Sequence, residues 1–545
     1  MKKVSVYRYC LIISLPLAFF CGGVCALQYS TAVDGSNAQA VHQLGITGEG
    51  IKIGLITFGN VQADHLAFLD ANGQTGVFNH NYTGDTNGFL YNFHDTPFAG
   101  IIKSRGTYNH PNDIGVAPDA EIHCGRVVRG DGVLQQSYIQ DALTGLIDDN
   151  DCKIIVTGIQ LGPDDVTANG QSQWTLMYDY FAQQYDVVFA NASGNFYSNI
   201  TVFGDAYNGI TTGGLRETEP NKFFRVGDAN CPGPTIDGRR KPDVTAPSTN
   251  QVAPGYSGSN NYWNPGYGDG ATSWAVPHTA GVAALLLEYA NQTADADDSH
   301  SEVIKVVIVN STFPNIDNKA GNPTNPADPN NTWHYQRGYG RIDALRAYQT
   351  LYAGRISRGS TITSTAGWAY DTMAGSATHS YIITGGKNER LVLTVTWNRV
   401  VTRDRKRPSD PWVYSDEEPN KFNIDVTIKD PCNTVVYSEN DANNNLIKVD
   451  MPLELTGEYE ITLTNTTSKT RGYAMAFERL APLTGDFNID YIVDELDLRQ
   501  MAFDWLTAGP DTDIVPDEPD GIVNWLDFAK FADNWLKIEP KYYNP

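Results

Sequence analysis

DGATSWAVPHTAGVAALLLEYA, running from Asp269 to Ala290, decides how this chain is read. Small residues lead to Ser273, and an apolar run from Val282 to Leu287 follows. Pro277 stands near the start of that run, and the first turn is the part of a helix that tolerates proline. The pattern predicts a tight turn delivering Ser273 to the N-terminus of a buried helix. A hydroxyl in that position has two uses. It caps the free N–H groups of the first turn, or it stands as a nucleophile with the positive helix end behind it. For an arbitrary serine, capping is the commoner use, so the surrounding chain has to choose.

Outward from this stretch, residues 51 to about 352 alternate between two patterns. Apolar strand-like runs (IKIGLITF, EIHCGRVV, KIIVTGIQL, DVVFANA, GITTGG) are separated by helical stretches such as SYIQDALTGLIDD and TLMYDYFAQQY. Continuous apolar runs mark strands covered on both faces, hence an α/β fold with a parallel sheet and helices on either side. Active sites in such sheets lie at the carboxyl ends of the strands. From Gly354 to Leu480 the helical period disappears. Segments such as ERLVLTVTW and GEYEITLTN alternate like strands between Gly, Asn and Pro turns, which predicts an all-β sandwich. The charged stretch TRDRKRPSDPWVYSDEEPNK is expected to be a solvated excursion from it. In the last segment DLRQMAFDWL recurs as DFAKFADNWL, each copy behind an acidic loop, which predicts two loop-helix units.

The chain has 545 residues, too many for one core, with 39 basic against 63 acidic residues and a net charge of −24. That balance argues against nucleic acid and anionic membranes as partners and for a soluble protein or a binder of cations. MKKVSVYRYCLIISLPLAFFCGGVCA has a basic start, a short apolar stretch and small residues before its end, the form of a secretory signal cleaved after Ala26. The expected divisions are a signal over 1–26, an α/β domain over 27–353, a sandwich over 354–480 and a small helical module over 481–545. No later segment is apolar enough to span a membrane, so a secreted or cell-surface protein of bacterial type is expected. Cys124, Cys152, Cys231 and Cys432 remain after the signal; Cys124 and Cys152 lie on strand-like segments and are expected as buried thiols, although one disulfide is open.

The Ser273 stretch resembles the nucleophile motif of the subtilisin-like serine proteases, G-T-S-x-A-x-P-H-x-x-G. Thr272, Ser273, Ala275, Pro277, His278 and Gly281 match, and Ala271 replaces the first glycine. GVAPDAEIHCGRVV, RKPDVTAPS and GYGRIDALRA resemble further segments of that family in the same order, over roughly residues 40 to 350. The resemblance implies an acyl-transfer site. Serine attack needs a base, a group orienting the base, and donors for the developing oxyanion. His94, in FHDTPFAGIIKS, matches the family's H-G-T-x-V-A-G with Asp95 in place of its glycine, and is implied as the base. Asn195, in VVFANASGN, is implied as an oxyanion donor alongside the Ser273 backbone N–H.

The orienting acid departs from the pattern. The family ends its first core strand with I-D-[ST]-G; here GLITFGN puts Thr57 in the acid's slot, with Gly59 following. A threonine hydroxyl can accept the imidazole proton but carries no charge to stabilise an imidazolium, and losing the acid costs such enzymes on the order of 10⁴-fold. Asp64 and Asp95 are the neighbouring carboxylates that remain open. Gln160, Leu161 and Gly162 stand where the family lines its first specificity pocket, so they are expected to contact a peptide or protein substrate. Trp274 is expected in the core. Two readings follow: a secreted serine endopeptidase with an incomplete triad, or a pseudoprotease that binds peptide without cleaving it.

In the terminal segment DFNIDYIVDELD places Asp486, Asn488, Asp490, Ile492 (through its carbonyl), Asp494 and Asp497 at the ligand spacing of a calcium loop. The second copy offers Asp520, Asn524 and Asp527, with its first ligand open between Asp513 and Asp517. Hard oxygen ligands at alternate positions converge on one ion when the loop curls. Paired units of this kind resemble dockerin modules, which implies structural calcium and a cohesin-like partner on a scaffold or cell surface.

Overall fold

The structure is a computed structural model describing residues 26–85, 93–162, 166–219, 221–263, 270–324, 332–407, 410–416, 422–481, 484–487, 493, 495–506, 512–514 and 521–534. The signal segment through Cys25 lies outside the described residues, as do Asn488, Asp490, Ile492, Asp494 and Asp520.

The apolar runs form a parallel sheet: β1 (Lys52–Thr57), β2 (Val77–Asn81), β3 (Glu121–Arg126), β4 (Ile154–Thr157), β5 (Val188–Ala192), β6 (Ile210–Arg216) and β7 (Val244–Pro247). Their order across the sheet is β7-β6-β5-β4-β1-β3-β2, and a short antiparallel strand at Arg225–Val226 joins β6. β4, β5 and β7 are buried along their whole length, because helices cover both faces. The longer helices are α1 (Asp95–Lys103), α2 (Gln136–Thr144), α3 (Gln173–Tyr185), α4 (Val276–Ala290), α5 (Ser301–Asn310) and α6 (Ala344–Tyr352). α4 is apolar almost all round and buried almost all round. Gly281 lets it approach the Val116 segment: a Cβ there would lie 2.5 Å from the Val116 Cβ.

The sandwich has two sheets. Its outer sheet orders β8 (Thr361–Ile362), β10 (Thr378–Gly385), β17 (Gly457–Asn465), β14 (Ile424–Lys429) and β15 (Val435–Glu439) as β8-β10-β17-β14-β15. The inner sheet is β9-β18-β11-β16, from β9 (Ala366–Met373), β11 (Arg390–Thr396), β16 (Leu446–Pro452) and β18 (Arg471–Leu480). β14 alternates buried and half-buried residues, as a half-covered strand must; β11 is buried throughout. The difference has a physical cause: α5 and α6 of the α/β domain roof the inner sheet on its far side.

Polar groups fix this junction. Arg346 of α6 reaches Glu478 of β18 at 2.6 Å, and both side chains are almost fully buried. Thr350 donates to the same carboxylate at 3.1 Å. Lys448 of β16 donates to the Val309 and Asn310 carbonyls at 2.9 and 3.2 Å, capping the C-terminal end of α5 where its dipole is negative. Trp368, 2 % exposed, donates its indole N–H to the Leu351 carbonyl at 3.1 Å.

The expectation of a solvated charged loop holds for residues 402 and 404–407, which are exposed, but not for the whole of its described part. A hairpin, β12 (Val401–Asp404) and β13 (Val413–Asp416), packs back on α3. Tyr414 is 1 % exposed, and its backbone N–H and carbonyl pair with the Gln173 side-chain amide at 2.8 Å each. Arg399, just before the hairpin, binds Asp179 of α3. The arginines that looked like solvent ligands instead stack on aromatic rings: Arg403 lies 4.7 Å from the Tyr180 ring centre and 4.5 Å from that of Trp412.

The terminal residues form α7 (Glu495–Asp504) and α8 (Trp525–Ala532) around a small core of Val493, Met501, Val523 and Phe531. Cys124, Cys152 and Cys231 are buried and unlinked, as expected for the first two; Cys432 is exposed and unlinked. Among the described residues no helix is long and apolar enough to cross a membrane.

Candidate active site

Ser273 sits in a short 3₁₀ turn, Thr272–Trp274, that runs into α4. It does not cap that helix. Its hydroxyl donates across to the Gly158 carbonyl, at the carboxyl end of β4, at 2.9 Å. Ser273 is 5 % exposed, and the first turn of α4 lies behind it.

His94 stands immediately before α1 in a helical backbone conformation (φ −83°, ψ −45°). Phe58 meets its ring edge-on at 5.3 Å, Phe98 stacks at 5.4 Å and Trp274 lies tilted at 4.9 Å between ring centres. The missing side chain of Gly158 makes room for this arrangement. A Cβ there would lie 2.7 Å from the Phe98 ring and 3.2 Å from His94 Cε1. The Ser273 hydroxyl and the His94 imidazole therefore both lie against one residue, Gly158. Trp274 is buried as expected, but what it packs against is the imidazole.

Thr57 does not take the place proposed for it from the sequence. At the end of β1 its Oγ1 turns back to donate to the Gly59 carbonyl at 2.9 Å. The atom facing His94 Nδ1 is Asp95 Oδ1, at 3.3 Å. The Asp95 carboxylate in turn accepts from the backbone N–H groups of Phe58 (3.3 Å) and Gly59 (2.6 Å). Asp64, the other carboxylate left open, is exposed.

Asn195 follows β5. Its side-chain oxygen accepts from the Thr272 N–H at 2.7 Å and the Thr272 hydroxyl at 3.0 Å. With Oδ1 committed to these donors, Nδ2 is the end turned away from residue 272 and left to donate elsewhere. Gln160, expected on a substrate wall, is engaged internally: its Oε1 accepts from the Asn195 backbone N–H at 2.6 Å. Leu161 bridges to Val202. Gly162 lies under Tyr197, whose hydroxyl would be 2.5 Å from a Cβ at that position. Tyr197, which belongs to none of the motifs, thus packs against the expected wall at Gly162. His278, the second histidine of the stretch, is a core residue. Burial pushes its imidazole down to about 3, and its Nε2 faces Gln251 Oε1 at 3.3 Å.

In the terminal module Asp486, Asp497, Asp513 and Asp527 are all buried. Asp497 accepts from the Phe487 N–H at 2.6 Å, and Asp527 from the Ile514 N–H at 2.7 Å. Asp513 thereby stands before Ile514 as Asp486 stands before Phe487, while Asp517 lies outside the described residues. Asn524 serves as the N-cap of α8, accepting from the Leu526 N–H at 2.8 Å. These four carboxylates are a hard oxygen donor set that suits calcium. Oδ1 of Asp513 is buried without a hydrogen-bond partner among the described residues.

The profile of the subtilase family (Peptidase_S8) matches residues 48–340, more than half of the chain. Pyrolysin of Pyrococcus furiosus is 27 % identical over 269 residues, covering 44 % of this chain and 18 % of pyrolysin. The human membrane-bound transcription factor site-1 protease is 25 % identical over 321 residues, 58 % of this chain and 26 % of that protein. The serine protease AprX of Bacillus subtilis is 26 % identical over 286 residues, 47 % of this chain and 62 % of AprX. The chain thus spans less than two thirds of the length of each. A parallel sheet with serine, histidine and asparagine gathered at its strand ends, in the span that the profile matches, makes this chain a member of the subtilase family of serine peptidases.

Proposed function

We propose that the chain is an exported serine endopeptidase that hydrolyses peptide bonds in peptide or protein substrates. Ser273 Oγ attacks the scissile carbonyl, and His94 Nε2 takes its proton and returns it to the leaving amine. Asn195 Nδ2 and the Ser273 backbone N–H hold the developing oxyanion. Attack requires the Ser273 hydroxyl to leave the Gly158 carbonyl and donate to the imidazole. The observation that carries the reading is that Ser273 and His94 both lie against Gly158, with Asn195 tied to the neighbouring residue of the nucleophile turn.

A second reading, a pseudoprotease that binds peptide without cleaving it, draws on Thr57 at the strand end and on Tyr197 over Gly162. A fluorophosphonate probe separates the two. The folded wild type should be labelled at Ser273 and the Ser273→Ala variant should not; an unlabelled wild type sinks the peptidase reading.

The terminal module is proposed to hold structural calcium through Asp486, Asp497, Asp513 and Asp527 and to dock the enzyme on a cohesin-like partner. The buried carboxylates support the first part. Exposed Phe503, Leu506, Trp525 and Leu526, unusual on so small a unit, support the second. The proposed docking and the expected amino-terminal signal support a location outside the cell or on its surface.

A further inference from the structure

We infer that Asp95 is the positioning carboxylate of the catalytic site, acting on His94 from the next position in the chain instead of from the end of β1. The inference rests on the peptidase reading of Ser273 and His94. It answers what that reading leaves unexplained: how a subtilase with threonine in the acid's slot keeps its imidazole in the productive tautomer.

Three observations carry it. The Thr57 hydroxyl donates to the Gly59 carbonyl, and the side-chain acceptor at hydrogen-bond distance from His94 Nδ1 is not that hydroxyl but Asp95 Oδ1. The two amides that follow Thr57 nevertheless converge on a carboxylate, and it is that of Asp95. A charge is therefore held where β1 ends, supplied from the first turn of α1. Finally, the Asp95 side chain is 1 % exposed, and its ion-pair partner among the described residues is His94.

Chain geometry makes this possible. His94 precedes α1 with helical φ and ψ, and Asp95 opens the helix, where the helix dipole favours a negative charge. The residue at this position is glycine in the family pattern, so an acid here costs no established side-chain contact. The Nδ1–Oδ1 separation of 3.3 Å is long for a charge-assisted bond, and catalytic hydrogen bonds commonly tighten once substrate is bound. In the reaction the serine proton goes to Nε2 as the Oγ–carbon bond forms. Nδ1 keeps its proton, and Asp95 stays ionised, holding the tautomer and stabilising the imidazolium.

The test uses the full chain, with kcat and KM on fluorescently labelled casein and the rate of fluorophosphonate labelling. Asp95→Asn should lower kcat and the labelling rate by about 10³- to 10⁴-fold while KM stays within about threefold. Adding Thr57→Asp to that variant should restore at least about tenfold of the loss, since it returns a carboxylate to the strand end. A merely structural Asp95 predicts instead that Thr57→Asp raises kcat as much in the wild type as in the Asp95→Asn variant, whereas a positioning Asp95 leaves the wild type with the smaller gain. A labelled wild type with Asp95→Asn equally active overturns this inference alone; an unlabelled wild type overturns the peptidase reading with it. Should Asp95→Asn not fold, Thr57→Asp/Asp95→Gly, which has the family residue at both positions, decides. Activity there supports the transfer of the acid, and a folded but inactive protein refutes it.

Discussion

Removing the Glu478 carboxylate should destabilise the α/β domain, although Glu478 belongs to the sandwich. Arg346 and Glu478 are 1 % and 2 % exposed at their side chains and 2.6 Å apart, and the glutamate also accepts from Thr350. Breaking a buried pair from one side leaves an uncompensated guanidinium, which costs about 3–5 kcal/mol. α6 and the inner sheet unfold as one body if the junction is as continuous as its buried contacts imply. With about 2.1 cal/mol/K of unfolding entropy per residue over a unit of roughly 450 residues, the unfolding entropy is about 0.9 kcal/mol/K. Glu478→Ala should then lower a single melting transition by about 3–5 °C. The assay is calorimetry of the full chain, followed in parallel by loss of fluorophosphonate labelling at Ser273, which reports the α/β domain alone. Both readouts should fall together. Two transitions, with the labelling transition unmoved and a large shift confined to the other, would refute the coupling.

Gln160→Ala should lower kcat by about tenfold, because the Asn195 backbone N–H loses its acceptor and one such bond is worth about 1–1.5 kcal/mol; peptide-hydrolysis kinetics check it, and a change confined to KM would return Gln160 to the substrate wall. Acid should destabilise the fold through His278. The unfolded chain binds a proton below about 6.5 and the folded chain only near 3, so stability drains as pH falls through that window, by about 5 kcal/mol in full. Urea midpoints at pH 7, 5.5 and 4 should therefore fall less steeply in His278→Gln than in wild type, and parallel curves would count against it. Calcium titration of the full chain by calorimetry should show two sites, reduced to one by either Asp497→Asn or Asp527→Asn; no heat at millimolar calcium would remove the metal assignment.

Much of the core was legible because its signals are local. β4 and β5 read as strands from unbroken apolar runs, and α4 as buried from its uniform composition. Ser273, His94 and Asn195 came from the resemblance of their motifs to those of the subtilases, since each motif is a short run of neighbouring residues. The terminal duplication was visible as a repeat, yet Asp513 was left open because its loop is longer than that of Asp486, and only the matching hydrogen bonds to Phe487 and Ile514 align the two.

Three matters were decided in three dimensions. Charge in TRDRKRPSDPW signals solvent unless aromatic rings wait on another element, and the rings of Tyr180 and Phe181 lie more than two hundred residues earlier in the chain. The burial of β11 on both faces follows from α5 and α6, which leave no trace in the strand's own alternation. Nor does composition show that Gln160 turns to Asn195 or that Asp95 turns to His94, since the direction of a side chain depends on which partners the fold presents. The sequence by itself determined the family, the sheet and the nucleophile turn, because these rest on periodicity and neighbouring residues. Which carboxylate stands behind His94 was decided by the tertiary structure, because the amides of Phe58 and Gly59 that hold it come from a strand end 36 and 37 residues away.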